Sequence, residues 1–192
     1  MPRELIMEGY ETPRKMSALG GKRILEESPF LWMLYSHYDL RNVIRNIVGV
    51  EIYPCRHRKE FMVGNYLASS GSTHGWHLDD PAFALIVIFE TPPVELGGSV
   101  ELIPGWLEYC EDSGVSPEEN VQPLVSRASE ADLLKTKPHV SGDLYLLRAD
   151  KSMHRVTGLL KDGVRRAALN LGFETTPRPE YGLTASILYE EG

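Results

Sequence analysis

The chain has 192 residues, 42% hydrophobic and 24% charged, with 17 Gly and 13 Pro. A chain of that length can bury about 70% of the surface its unfolded state exposes, so one domain with a sizeable core is expected and disorder is not. Its 20 Lys and Arg stand against 27 Asp and Glu, and the resulting net charge of −7 repels phosphate and argues against sequence-independent nucleic-acid binding. Cys55 and Cys110 are too few for a disulfide framework or a zinc finger and fit a reducing compartment. The six histidines, set among so many carboxylates, supply the donor types that hold divalent metals of intermediate hardness.

The N-terminus, MPRELIMEGYETPRK, has no apolar run of signal-peptide length, and no stretch reaches the roughly 18 apolar residues of a membrane span. A cytoplasmic protein without membrane contact is expected. Up to about Leu25 there is little periodicity, and Gly9, Pro13, Gly20 and Gly21 suggest loop with at most a short helix. Ser28 followed by Pro29 is a helix start. From there Phe30, Leu31, Leu34, Tyr38, Val43, Ile44, Ile47 and Val48 keep helical spacing, with a break near Asp39, until Gly49 supplies a stop. One or two helices are predicted.

From Glu51 the period changes to short apolar runs separated by turn residues: EIYPC, EFMVGNYLA, FALIVIFE, GSVELI, GDLYLLRA, HRVTGLL and RRAALNLGFE. Seven short strands without alternating helices predict an antiparallel barrel or sandwich. The polar stretch from Trp106 to Val140, with Pro117, Pro123 and Pro138, predicts loop and a helical turn, and Leu183 to Glu191 predicts a short C-terminal helix. No repeat or linker divides the chain, so residues 1–192 are expected to be a single domain, 1–49 being a helical and loop part and 50–192 the β core.

A His-x-Asp pair presents both side chains on one face only in extended backbone, where the period is two. The motif occurs at His37/Asp39 and at His77/Asp79. The first copy falls in the predicted helix, where residues two apart point about 200° away from each other, and reads as surface. The second follows the turn SSGSTHG and leads towards FALIVIFE. Two histidines and one carboxylate on one face of an iron leave three positions open for a chelating co-substrate and oxygen. His154, at the start of HRVTGLL, is the candidate third ligand. An arginine about ten residues later could pair bidentately with a dicarboxylate co-substrate. Arg165 and Arg166 both qualify; Arg166 is favoured, because its spacing to Ala168 and Leu169 fits an inward-facing strand start, and Asn170 on the same strand is a further candidate.

With these residues in place the chain resembles the Fe(II)/2-oxoglutarate-dependent oxygenases with a double-stranded β-helix, or jelly-roll, core. The segments THGWHLDDPAFAL, PPVELGGSVELIPG, GDLYLLRADKSMHRV and TASILY look like the small carrier-independent group that hydroxylates or halogenates free amino acids. The resemblance covers about Thr12 to Tyr189. It implies a jelly-roll fold, Fe(II) held by His77, Asp79 and His154, a 2-oxoglutarate carboxylate on Arg166, and oxygen as second co-substrate, with no catalytic residue beyond the iron centre. In the lysine halogenases of this group the position of Asp79 is glycine, which frees a site for chloride; aspartate here implies hydroxylation.

The resemblance also implies that Arg14 and His74 take a substrate carboxylate and that Glu60 and Asp80 take ammonium groups. Two acids on one small substrate suit a basic amino acid such as lysine or ornithine. Tyr189 stands where relatives carry tryptophan and is expected to line the substrate pocket. The expected partner is a small amino acid, with neither nucleic acid nor membrane; a homodimer remains open. The same iron site could alternatively desaturate, epoxidise or cyclise an amino-acid-derived metabolite, and a degenerate site would leave a jelly-roll binding protein. His57 and His139 have no partner that the sequence identifies.

Overall fold

The computed structural model describes residues 3–7 and 12–182. Its core is one curled antiparallel sheet, formed by eleven strands among the described residues, with helices packed on its outside. The strands are β1 (Arg3–Met7), β2 (Thr12–Gly20), β3 (Tyr53–Pro54), β4 (Met62–Leu67), β5 (Thr73–His77), β6 (Phe83–Glu90), β7 (Val100–Ile103), β8 (Lys135–Lys137), β9 (Leu144–Leu147), β10 (Met153–Val156) and β11 (Arg166–Glu174). The main path runs β8-β7-β10-β5-β2-β4-β11-β6-β9, with β1 on β2 and β3 on β11. This is the jelly-roll architecture expected from the sequence.

The helices are α1 (Gly21–Glu27), α2 (Pro29–Ser36), α3 (Tyr38–Val48), α4 (Trp106–Ser113) and α5 (Val121–Glu130). Pro29 opens α2, where its missing N–H costs nothing. The break between α2 and α3 falls at His37, whose ring accepts the Asp39 N–H, and Gly49 ends α3 at φ +75°, a left-handed conformation that lacks a steric penalty only for glycine. Strand alternation separates two faces. On β11, Leu169, Leu171 and Phe173 join Ile24, Tyr35, Ile44 and Phe61 in a core beneath α1–α3. The alternate row, Arg166, Ala168 and Asn170, faces the inside of the curl. A second outer core under α4 and α5 is built on Trp76, Ile103, Trp106 and Met153.

Three expectations fail. The N-terminal region expected as loop supplies β2, a strand in the middle of the sheet flanked by β5 and β4, so residues 1–49 are not separate from the β core. Its buried row is Thr12, Arg14 and Met16, and an inward row containing a charge hides the alternation on which strand recognition depends. The segment THGWH, whose Gly and Thr read as turn residues, is a strand of its own, β5. The stretch from Trp106, expected as loop and a helical turn, forms two helices and an edge strand; Pro123 lies in the first turn of α5, where proline is tolerated. The expected helix at Leu183–Glu191 lies outside the described residues.

Candidate metal and substrate site

β5 and β10 are antiparallel neighbours, and their register places His154 directly opposite His77. Asp79 follows β5 by two residues, held where its N–H donates to the Ala149 carbonyl at 3.1 Å. His77 Nε2 lies 3.3 Å from Asp79 Oδ1 and His154 Nε2 lies 3.7 Å from the same oxygen. The three donor atoms are all within 4.8 Å of one another.

Each histidine is oriented by its other nitrogen. His77 Nδ1 donates to the Gly75 carbonyl at 2.6 Å and His154 Nδ1 to the Ser152 carbonyl at 2.8 Å. A carbonyl can only accept, so both Nδ1 atoms carry a proton and both Nε2 atoms face Asp79; such backbone contacts fix the ring angle of metal ligands. Burial, aided by His77, lowers the His154 pKa to about 4, so its imidazole is neutral and ready to ligate at ordinary pH. Burial alone would raise the Asp79 pKa, but His154 and His77 outweigh it and hold it below the usual carboxylate range. Two imidazoles and one carboxylate converging on one point fit a non-haem iron site.

Of the substrate-side candidates, His74 lines the same cleft as the three metal-ligand candidates, and Glu60 and Asp80 are close enough to Asp79 to feel its charge. Arg14 on β2 is buried and is the register partner of His74 on β5. The His74 ring stacks on His77 with centroids 3.7 Å apart, and its Nε2 is buried without a hydrogen-bond partner. Burial and then the charges of His77 and Arg14 hold His74 well below the usual imidazole range, so it is neutral. Glu60 lies in the turn ahead of β4, with Oε2 buried and unpartnered. Burial, reinforced by the carboxylates of Asp80 and Asp79, pushes Glu60 up to about 9. Asp80 is raised by burial against a backbone hydrogen bond from Gly182. Tyr189 lies outside the described residues.

Arg166 opens β11 with 2% exposure and faces the same cleft as the three metal-ligand candidates, its Nε buried without a partner. Arg165 points the opposite way and pairs on the surface with Glu90 at 3.1 Å, as two adjacent strand residues must. Asn170 lines the cleft two positions inward from Ala168. Among the lining residues that the sequence does not single out are two uncharged polar ones. Asn65, on β4 opposite Ala168, carries a buried, unpartnered Oδ1; the only sequence signal was a carboxamide inside the apolar run MVGNYL. Tyr145 on β9 sits beside Arg166, close enough for a hydrogen bond, and in GDLYLLRA it reads simply as an apolar strand residue.

A jelly roll that presents two histidines and an aspartate beside a buried arginine offers the donor set of a non-haem iron site with room for a dicarboxylate co-substrate. Solved structures share the fold. An oxidoreductase of the 2OG-Fe(II) oxygenase family from Burkholderia pseudomallei is 14% identical with a TM-score of 0.57, covering 92% of this chain and 73% of that one. AviO1 from Streptomyces viridochromogenes is 15% identical with a TM-score of 0.61, covering 94% and 76%. HygX from Streptomyces hygroscopicus, solved with nickel and 2-oxoglutarate, is 17% identical with a TM-score of 0.58, covering 87% and 72%. Residues 1–189 match the family model described as Halogenase D, and the chain belongs to that family. No curated protein matches the sequence.

Proposed function

We propose that this chain hydroxylates an unactivated C–H bond of a free amino acid with a basic side chain, lysine or ornithine being the fitting sizes. The observation that carries the substrate class is the Glu60 carboxylate, buried without a partner and crowded by Asp80 and Asp79. An acid in that setting is costly to ionise unless a cation joins it. A substrate ammonium group supplies that cation, while Arg14 and His74, adjacent across β2 and β5, suit the carboxylate at the other end.

His77, Asp79 and His154 would hold the iron, and Arg166 the distal carboxylate of 2-oxoglutarate. When bound, iron with oxygen oxidises 2-oxoglutarate to succinate and carbon dioxide and delivers one oxygen atom to the substrate carbon. The protein's own residues choose the carbon, by fixing both charged ends of the substrate against a ligand set that the β5–β10 register holds in place. The family description points towards halogenation, but Asp79 points away from it, since its carboxylate occupies the position that glycine leaves open for chloride in the lysine halogenases.

The test is succinate release by anaerobically Fe(II)-loaded protein over a panel of free amino acids, with products weighed by mass spectrometry. Release coupled to lysine or ornithine with a gain of one oxygen supports the proposal. Turnover coupled only to acidic or neutral amino acids, or loss of two hydrogens, or a chlorinated product when chloride is present, would overturn it.

A further inference from the structure

The curled sheet is open along one seam. β8 and β9 are the two ends of the strand path, and residues 138–143 alone connect them in the chain. That connector is pinned to the end of β6: Gly142 N–H donates to the Ile88 carbonyl at 2.7 Å and Ile88 N–H to the Asp143 carbonyl at 2.9 Å. Gly142 takes φ +97° to make this turn, a conformation that side chains resist. Asp143 Oδ2 accepts the Val140 N–H at 2.9 Å and lies 3.5 Å from His139 Nδ1. The His139 ring is thereby carried onto Tyr145, parallel to within 7° with centroids 4.4 Å apart. Tyr145 in turn packs against the buried cluster of Ala84, Ile86 and Ala168, lines the cleft with Arg166, and places its phenol beside that guanidinium.

We propose that His139 is a positioning residue for the co-substrate: its stack on Tyr145 is a clasp that holds the phenol against Arg166 and so sets the affinity for 2-oxoglutarate. The inference rests on the reading of Arg166 given above. His139 does not line the cleft and acts through Tyr145, which does. A flat ring pair removes the torsional freedom of the phenol before the co-substrate arrives, and that preorganisation strengthens binding. Aromatic pairs of this geometry correspond to a roughly 3- to 10-fold effect on an equilibrium constant.

The experiment is calorimetric titration of 2-oxoglutarate into Fe(II)-loaded protein without oxygen, together with Fe(II) affinity and the KM for the amino acid. His139→Ala and His139→Gln should weaken 2-oxoglutarate roughly 3- to 10-fold, leave Fe(II) affinity and the amino-acid KM in place, and keep the wild-type circular dichroism spectrum. His139→Phe, which keeps a flat ring, should restore the affinity. Should His139→Ala fail to fold, the Gln and Phe variants decide the matter between them. Wild-type affinity in the Ala or Gln variant, or a Phe variant as weak as they are, overturns the clasp while leaving the proposed function standing. No 2-oxoglutarate binding by the wild type overturns both.

Discussion

His37-x-Asp39 and His77-x-Asp79 are the same three-residue pattern used for two purposes. At the first, the side chains are 58% and 78% exposed, and the ring accepts the Asp39 N–H at the start of α3. At the second, the side chains are 5% and 22% exposed, the ring's Nδ1 is committed to a backbone carbonyl, and Nε2 faces the carboxylate across from His154. The residues alone do not make a ligand set. Extended backbone, burial, an orienting acceptor and a third donor supplied by a neighbouring strand do, and only the second copy has all four.

The sharpest way to break this comparison is to remove a ligand from each copy. His77→Ala or His154→Ala should abolish Fe(II) binding and bring succinate release to background, whereas His37→Ala should leave both at wild-type level; equal losses at the two copies would show that position 77 is not special. Asp79→Gly should abolish or sharply lower hydroxylation, and full hydroxylase activity in that variant would remove Asp79 from the ligand set. A smaller effect is expected at Glu60. Glu60→Gln should raise the amino-acid KM roughly 10- to 100-fold, the range of a lost hydrogen bond to a charged group, measured at saturating 2-oxoglutarate.

The same variant has a signed pH dependence. Folding raises the Glu60 pKa from 4.5 to about 9, so the folded protein holds this proton more tightly than the unfolded chain. Stability from this group is fully present below pH 4.5 and is lost as pH rises towards about 9. Glu60→Gln should therefore raise the melting temperature of the metal- and substrate-free protein, by more at pH 8 than at pH 5; a flat or reversed difference would mean that Glu60 already has a cation. The smallest expected effect is structural. Losing the His37 cap should cost about 0.5–1 kcal/mol, read as a fall of roughly 1–4 °C in thermal melting.

The sequence made the metal centre legible because its rules are local: His77 and Asp79 are two residues apart, and His154 and Arg166 each sit at the start of an apolar strand. Arg166 was separable from Arg165 by strand period alone. The polar lining was harder to read. Arg14, Asn65 and Tyr145 occupy inward rows of β2, β4 and β9, and each is placed by a partner far away in sequence: Arg14 by His74, Asn65 by Ala168, Tyr145 by Arg166. Arg14 was reached only through the family resemblance, and its strand was expected to be loop. Two helices were missed for the opposite reason, since Pro117 and Pro123 were given more weight than the buried Val121, Leu124, Val125 and Ala128 of α5.

The direct pairing of His154 with His77 makes the candidate metal centre an error check on folding. Sliding β10 by one residue along β5 would turn His154 towards Trp76 and the α4–α5 core and present Met153 or Arg155 in its place. A chain folded in that wrong register could keep its other strands, yet it could not assemble the ligand set. Iron added during refolding would therefore favour the correct register over that near-miss, and metal content would count properly threaded molecules where circular dichroism could not.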